Sequence, residues 1–201
     1  MRYFVTGIDT DSGKTLTSAI LCEALMADYW KPIQSGLPRD ADTVASLITN
    51  TSTRIFPEAY LLRTPASPHA AAKIDGVSIE LAKLTPPASP RLIVEGAGGC
   101  LAPLNDHDFV IDIAAKLELP LILVSDLYLG SINHTLLTVN LIRQRNLPMA
   151  GIVFNGEPNP ESERIIEHHA KCSVLLRIQR ETEVSPAIVR KYAAQLKQNL
   201  Q

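Results

Sequence analysis

The chain lacks several features that would define common protein classes. It has only three cysteines, Cys22, Cys100 and Cys172, widely separated and odd in number. That pattern matches neither a metal-binding spacing nor a disulfide framework, so reduced thiols are expected. No apolar run approaches the roughly 18 residues of a membrane-spanning helix. The opening Met1-Arg2-Tyr3-Phe4-Val5-Thr6-Gly7 holds an apolar run too short for a secretory leader, which points to the cytosol. There is no excess of positive charge to meet a nucleic acid or an anionic membrane, because the formal net charge is -2. No internal repeat, low-complexity tract or Ser-His-Asp or Cys-His constellation is evident.

What is present suits one globular unit over residues 1–201, with 46% hydrophobic and 20% charged residues. Short apolar runs recur and alternate with helical patterns. Strands are predicted at Arg2–Thr6, Leu92–Val94, Leu121–Val124, Met149–Phe154 and Val174–Ile178. Helices are predicted from Lys14 to Met26, Ala41 to Thr49 behind an Asp40 cap, Phe109 to Leu117, Ile132 to Arg145, from Pro160, and from Pro186 toward Gln201. The prolines from Pro65 to Pro90 mark connecting loops around a short helix near Ser78–Leu84. Strands that are almost wholly apolar are buried on both faces. The expected fold is therefore α/β, a mainly parallel sheet with helices on both faces.

The strongest motif is Gly7-Ile8-Asp9-Thr10-Asp11-Ser12-Gly13-Lys14-Thr15, between a predicted strand and a predicted helix. Glycines let the backbone turn its N–H groups around phosphate oxygens, and the helix start adds partial positive charge. Lys14 can reach terminal phosphates, and the Thr15 hydroxyl suits magnesium, a hard ion that prefers oxygen. Five residues, rather than the usual four, separate Gly7 from Gly13-Lys14, so this is a variant phosphate-binding loop. Three further patches are expected at the same phosphates: Lys31-Pro32-Ile33-Gln34-Ser35-Gly36, Asp40-Ala41-Asp42, and Glu95-Gly96-Ala97-Gly98-Gly99. In an open parallel sheet, ligands sit beyond the C-terminal strand ends. Glu95 and Asp42 are then candidate magnesium ligands, and Lys31 a second cation to hold developing negative charge.

These patches, together with Pro65-Ala66-Ser67-Pro68-His69 and Gly130-Ser131-Ile132-Asn133-His134, resemble the dethiobiotin synthetase family in the same order along the chain. The resemblance implies a P-loop NTPase-like domain that uses ATP and magnesium to join carbon dioxide to diaminopelargonic acid. One amine forms a carbamate, ATP phosphorylates it, and the second amine closes a cyclic urea. By this resemblance Thr15, Asp42 and Glu95 hold magnesium. Thr10, Lys14, Lys31 and Ser35 meet the carbamate or the γ-phosphate. Asp11, Ser12 and Gly13 line the nucleotide phosphates, and Asn155 reads the adenine. Gly130, Ser131, Ile132 and Asn133, at a helix start from the neighbouring subunit of a homodimer, bind the distant carboxylate.

The chain departs from the family pattern in its short Ala27–Trp30 connection, in Asp11, and in Leu176-Arg177-Ile178-Gln179 where a Gly-x-Ile-Pro-like segment is usual. Two other readings were weighed. A partitioning-type ATPase switch typically carries a lysine early in its loop, where this chain has Ile8. A related amide-forming ligase usually carries a glutaminase domain, for which 201 residues leave no room. His69 and His134 fit structural hydrogen bonding better than catalysis. His168 and His169, about 100° apart on a helix, share no face for a metal.

Overall fold

The computed structural model describes residues 1–199. Seven parallel strands form the main sheet in the order β4-β2-β6-β1-β7-β8-β9. They are β1 (Arg2–Gly7), β2 (Asp28–Trp30), β4 (Ile55–Phe56), β6 (Leu92–Gly99), β7 (Leu121–Asp126), β8 (Met149–Asn155) and β9 (Val174–Ile178). A two-stranded parallel sheet pairs β3 (Ile33–Ser35) with β5 (Tyr60–Leu62) beside it. The helices are α1 (Lys14–Leu25), α2 (Asp40–Leu47), α3 (Pro68–Asp75), α4 (Val110–Lys116), α5 (Ser131–Gln144), α6 (Pro160–Ala170) and α7 (Pro186–Asn199).

Side chains alternate across a strand, so adjacent residues feed opposite layers. Phe4, Leu92 and Val94 pack with Ala71, Val110 and Ile113 on one face. Val5, Ile93 and Ile122 pack with Ile20, Val44 and Tyr192 on the other. Every strand residue named here is fully buried, and burying such a side chain is worth about 1.5–3 kcal/mol. A further cluster, Leu123, Val139, Phe154 and Ile166, seats α5 and α6.

β1 is central, flanked by β6 and β7. From β1 the chain passes through α1 to β2, returns as β6, and only then crosses to β7. That reversal opens a crevice beyond the C-terminal strand ends.

Several expectations change. The helix expected at Ala41–Thr49 runs from Asp40 to Leu47, and Asp40 is its first residue rather than its cap. Its backbone N–H is served by the Gln34 side chain, at 3.1 Å. Ile48 then turns extended and ends the helix. Near Ser78–Leu84 only a 3₁₀ turn, Leu81–Lys83, forms. The substantial helix of the proline-rich stretch is α3, which starts on Pro68 and stops at left-handed Gly76. β6 continues through its glycines to Gly99, past the expected end at Val94. The last helix is described to Asn199, so the expectation that it continues toward Gln201 reaches outside the described residues.

Candidate active site

A cavity of about 950 Å³ opens at the C-terminal ends of β1 and β6. The phosphate loop, Lys31, Ser35, Asp40 and Glu95 line it, with Pro65–Pro68 and Gly98–Ala102 forming further walls. Its phosphate end is built on α1. Gly13 caps that helix in the left-handed region, at φ 94°, which a side chain resists. A β-carbon there would also lie 2.4 Å from the Asn155 amide nitrogen. The Ser12 hydroxyl donates to the Asp9 carbonyl at 2.8 Å. Lys14 Nζ donates to the carbonyls of Asp9 and Thr10, at 2.8 and 2.6 Å. Burial pushes the Lys14 ammonium down to about 8; Glu95 opposes that shift and Lys31 reinforces it.

The centre of the site is the carboxylate of Glu95, which is completely buried. A buried charge is costly unless it is paired and hydrogen-bonded. Here Oε1 accepts from the Thr15 hydroxyl at 3.0 Å and from Lys31 Nζ at 3.0 Å. Oε2 accepts from the Tyr29 hydroxyl at 2.9 Å. Burial works most strongly against ionisation of Glu95, but the charge and hydrogen bond of Lys31, together with neighbouring hydroxyls including that of Tyr29, hold the carboxyl below its ordinary value. Lys31 Nζ also pairs with Asp40. Burial disfavours its charge, yet Glu95 and Asp40 together raise it above the ordinary lysine value. Tyr29 is pushed well above the ordinary phenol value, first by burial and then by the charge of Glu95, so it keeps its proton.

Thr10, Lys14, Thr15, Lys31, Ser35 and Glu95 therefore share one cavity. The Ser35 hydroxyl is buried and has no hydrogen-bond partner among the described residues. Ser12 and Gly13 support the loop from behind, and Asp11 is exposed. Asn155, at the end of β8, donates to the Ser12 carbonyl at 3.0 Å and braces the loop. In the unusual Leu176–Gln179 segment, Arg177 is turned outward to pair with Glu163 at 2.6 Å, and the Gln179 N–H donates to the Tyr192 hydroxyl at 3.0 Å.

Asp42, expected among the magnesium ligands, needs correction. Its carboxylate is 68% exposed and lies 3.8 Å from Arg39. Residues two apart on a helix point about 200° from one another, so α2 turns Asp40 toward the cavity and Asp42 away. Gly130, Ser131, Ile132 and Asn133 do not line this chain's own cavity; Leu137, Thr138 and Leu141, further along α5, do. Left-handed Gly130 caps α5 without a side-chain bond, and the buried Ser131 hydroxyl has no partner among the described residues. His69 and His134 are held in local hydrogen bonds, to Ser67 at 3.1 Å and to Tyr128 at 2.5 Å.

Two residues at the cluster, Tyr29 and the inward Asp40, were not assigned these contacts by motif. Strand alternation holds a signal for Tyr29: two residues before Lys31, it shares that residue's face. For Asp40 only the position of α2 decides.

The donors at the metal end are all oxygens, from Thr15 and Glu95, with Asp40 nearby. That chemistry fits magnesium, which uses one or two carboxylates together with phosphates and water rather than a full protein cage. Among the described residues no group of three or more His, Cys, Asp or Glu forms such a cage.

A phosphate loop between β1 and α1, beside a buried glutamate on the neighbouring strand of a parallel sheet, defines the class: an α/β P-loop nucleotide-binding protein. Its backbone resembles a ParA family ATPase from Chlorobium tepidum, with TM-score 0.58 and 15% identity over 99% of this chain and 96% of that one. It also resembles the MinC:MinD cell division complex of Aquifex aeolicus, with TM-score 0.60 and 11% identity over 100% and 95%. At such identities the likeness concerns the fold alone. A family model described as an AAA domain matches residues 1–187.

Sequence relatives are more specific. The chain is 51% identical to the ATP-dependent dethiobiotin synthetase of Cytophaga hutchinsonii over 98% of both proteins. It is 46% identical to that of Agrobacterium fabrum, over 97% of this chain and 93% of that one. It belongs to the dethiobiotin synthetase family.

Gly13→Ala combines left-handed strain with the Asn155 clash. It is expected to lower stability by about 1–3 kcal/mol in urea unfolding and to weaken ATP binding in calorimetry. Wild-type values for both would contradict the role given to this glycine.

Proposed function

We propose that this chain is a dethiobiotin synthetase in biotin biosynthesis, converting diaminopelargonic acid, carbon dioxide and ATP to dethiobiotin, ADP and phosphate. The observation that carries the reading is the position of Lys31. Its ammonium sits 3.0 Å from a glutamate oxygen that also takes a hydrogen bond from the phosphate loop. A second cation thus stands beside Lys14 at the phosphate end of the cavity.

The chemistry requires that arrangement. One substrate amine attacks carbon dioxide and loses a proton, giving a carbamate anion. A carbamate oxygen takes the γ-phosphoryl group and ADP leaves. The second amine then attacks the carbon of this mixed anhydride, phosphate departs, and the urea ring closes. Two anions must meet in the middle step, and fixed positive charge lowers that barrier. Lys14 and Lys31 supply it from the protein. Because its two carboxylate neighbours favour the charged form, Lys31 acts as a clamp on negative charge rather than as a base. Thr15 and Glu95 would hold magnesium, which when bound supplies further neutralisation at the phosphate oxygens. Thr10 and Ser35, which line the same cavity, would meet the carbamate, and the substrate provides its own nucleophiles.

We also propose a homodimer in which the start of α5 from a second copy completes the substrate site. Leu129 is wholly exposed, and Tyr128 and Leu137 are substantially so, around the N-terminus of α5. Residues 1–201 then act as one catalytic unit. A cytosolic setting suits this chemistry, and no helix among the described residues is long and apolar enough to cross a membrane. A nucleotide switch is the second reading, because a phosphate loop by itself serves switches as well as ligases, although Ile8 stands where partitioning ATPases typically carry an early lysine.

Incubation with diaminopelargonic acid, bicarbonate and MgATP should yield dethiobiotin and phosphate in equal amounts. Phosphate release without dethiobiotin would favour the switch. Lys31→Gln should reduce kcat by about 100-fold, as loss of one transition-state donor does, with ATP affinity little changed in calorimetry. Equal losses in both would reject the role of Lys31.

A further inference from the structure

Glu95 uses its two carboxylate oxygens differently. Oε1 faces the cavity and takes Thr15 and Lys31. Oε2 is reached from the core side, by the hydroxyl of Tyr29. Tyr29 is itself fully buried, and its ring lies in the apolar layer with Ile93, Ala41 and Cys22. Among the described residues, Glu95 is the hydrogen-bond partner given to this hydroxyl, at 2.9 Å.

The strand register explains the contact. β2 and β6 run parallel, with Tyr29 opposite Ile93. Glu95 is two residues further along β6 and on the same face. Such diagonal neighbours are within reach of a long aromatic side chain that leans along the strand. A glutamate carboxylate has a broad, soft torsion about its terminal bond. The hydrogen bond from a rigid, packed phenol restricts it from the core side, opposite the bonds that Oε1 takes from Thr15 and Lys31.

We infer that Tyr29 is a positioning residue for Glu95. It pins one oxygen toward the core, so that the other is presented to Thr15 and Lys31 and would be available to a divalent cation. Partners of this kind orient a ligand without touching the metal, and their removal costs about 10–100-fold in metal affinity or activity. The inference rests on the proposed assignment of Glu95 to magnesium.

Tyr29→Phe keeps the ring and removes only the donor. In the full-length chain, ATP affinity is measured by calorimetry in excess magnesium chloride and again in EDTA. The ratio of the two affinities reports the contribution of the metal, independently of turnover. In Tyr29→Phe that ratio should fall about tenfold, while affinity in EDTA and the KM for diaminopelargonic acid stay at wild-type values. In a Glu95→Gln background, the same substitution should cause no further fall, because its target is already altered. An unchanged ratio in Tyr29→Phe overturns the inference. So does an equal loss of affinity with and without magnesium, which marks Tyr29 as a packing residue only. A full additional loss in the Glu95→Gln background overturns it as well. A wild-type ratio in Glu95→Gln alone rejects the metal assignment beneath it. A wild-type chain that forms no dethiobiotin rejects the function instead.

Discussion

A carboxylate sealed within an inner strand cannot stay ionised unless the protein surrounds it with donors and positive charge. Glu95 meets that condition with three partners from three parts of the chain: Thr15 on the first helix, Tyr29 on the second strand, and Lys31 just beyond it. The cost of leaving such a charge uncompensated is several kcal/mol. The arrangement therefore ties the phosphate loop, the short second strand and the glycine-rich strand into one geometry. The same constraint keeps Lys31 charged in a place where burial alone would neutralise it.

The sheet makes this possible by its order. β6 lies between β1 and β2, so Glu95 has the phosphate loop on one side and Lys31 on the other. Between the pairs Val5–Glu95 and Gly7–Gly99 the register shifts, so that β6 bulges beside the start of the loop while the two strands stay paired. Glycines after Glu95 then carry the backbone along the cavity wall without filling it. Packing on both faces holds the strand ends in register, and preorganised charge is the result.

The sequence made some of this legible and hid the rest for identifiable reasons. The loop from Gly7 to Thr15 was readable because strand, turn and helix are local, and its meaning depends on spacing. The core strands were readable because burial on both faces leaves an unbroken apolar run. Tyr29 was missed as part of the cluster because its partner lies 66 residues away, and only the register of two strands brings them together. Asp40 and Asp42 were not separable by motif, since both open the same helix and their directions depend on how that helix is seated. Helix α3 was obscured by prolines that read as loop, although Pro68 is at the position where a helix tolerates it.

The central claim is that fixed positive charge and a buried carboxylate gather at the terminal phosphate, so that two anions can react. The most direct measurement is a crystal structure with magnesium and a non-hydrolysable ATP analogue. The account predicts that a γ-phosphate oxygen lies within about 3 Å of Lys14 Nζ, the distance of a charge-assisted hydrogen bond, with Lys31 Nζ facing the γ-phosphate across the space left for the carbamate and the metal beside Thr15 and Glu95. A triphosphate that ends far from Lys31, with Glu95 still enclosed by its present partners and no metal beside it, would contradict the account.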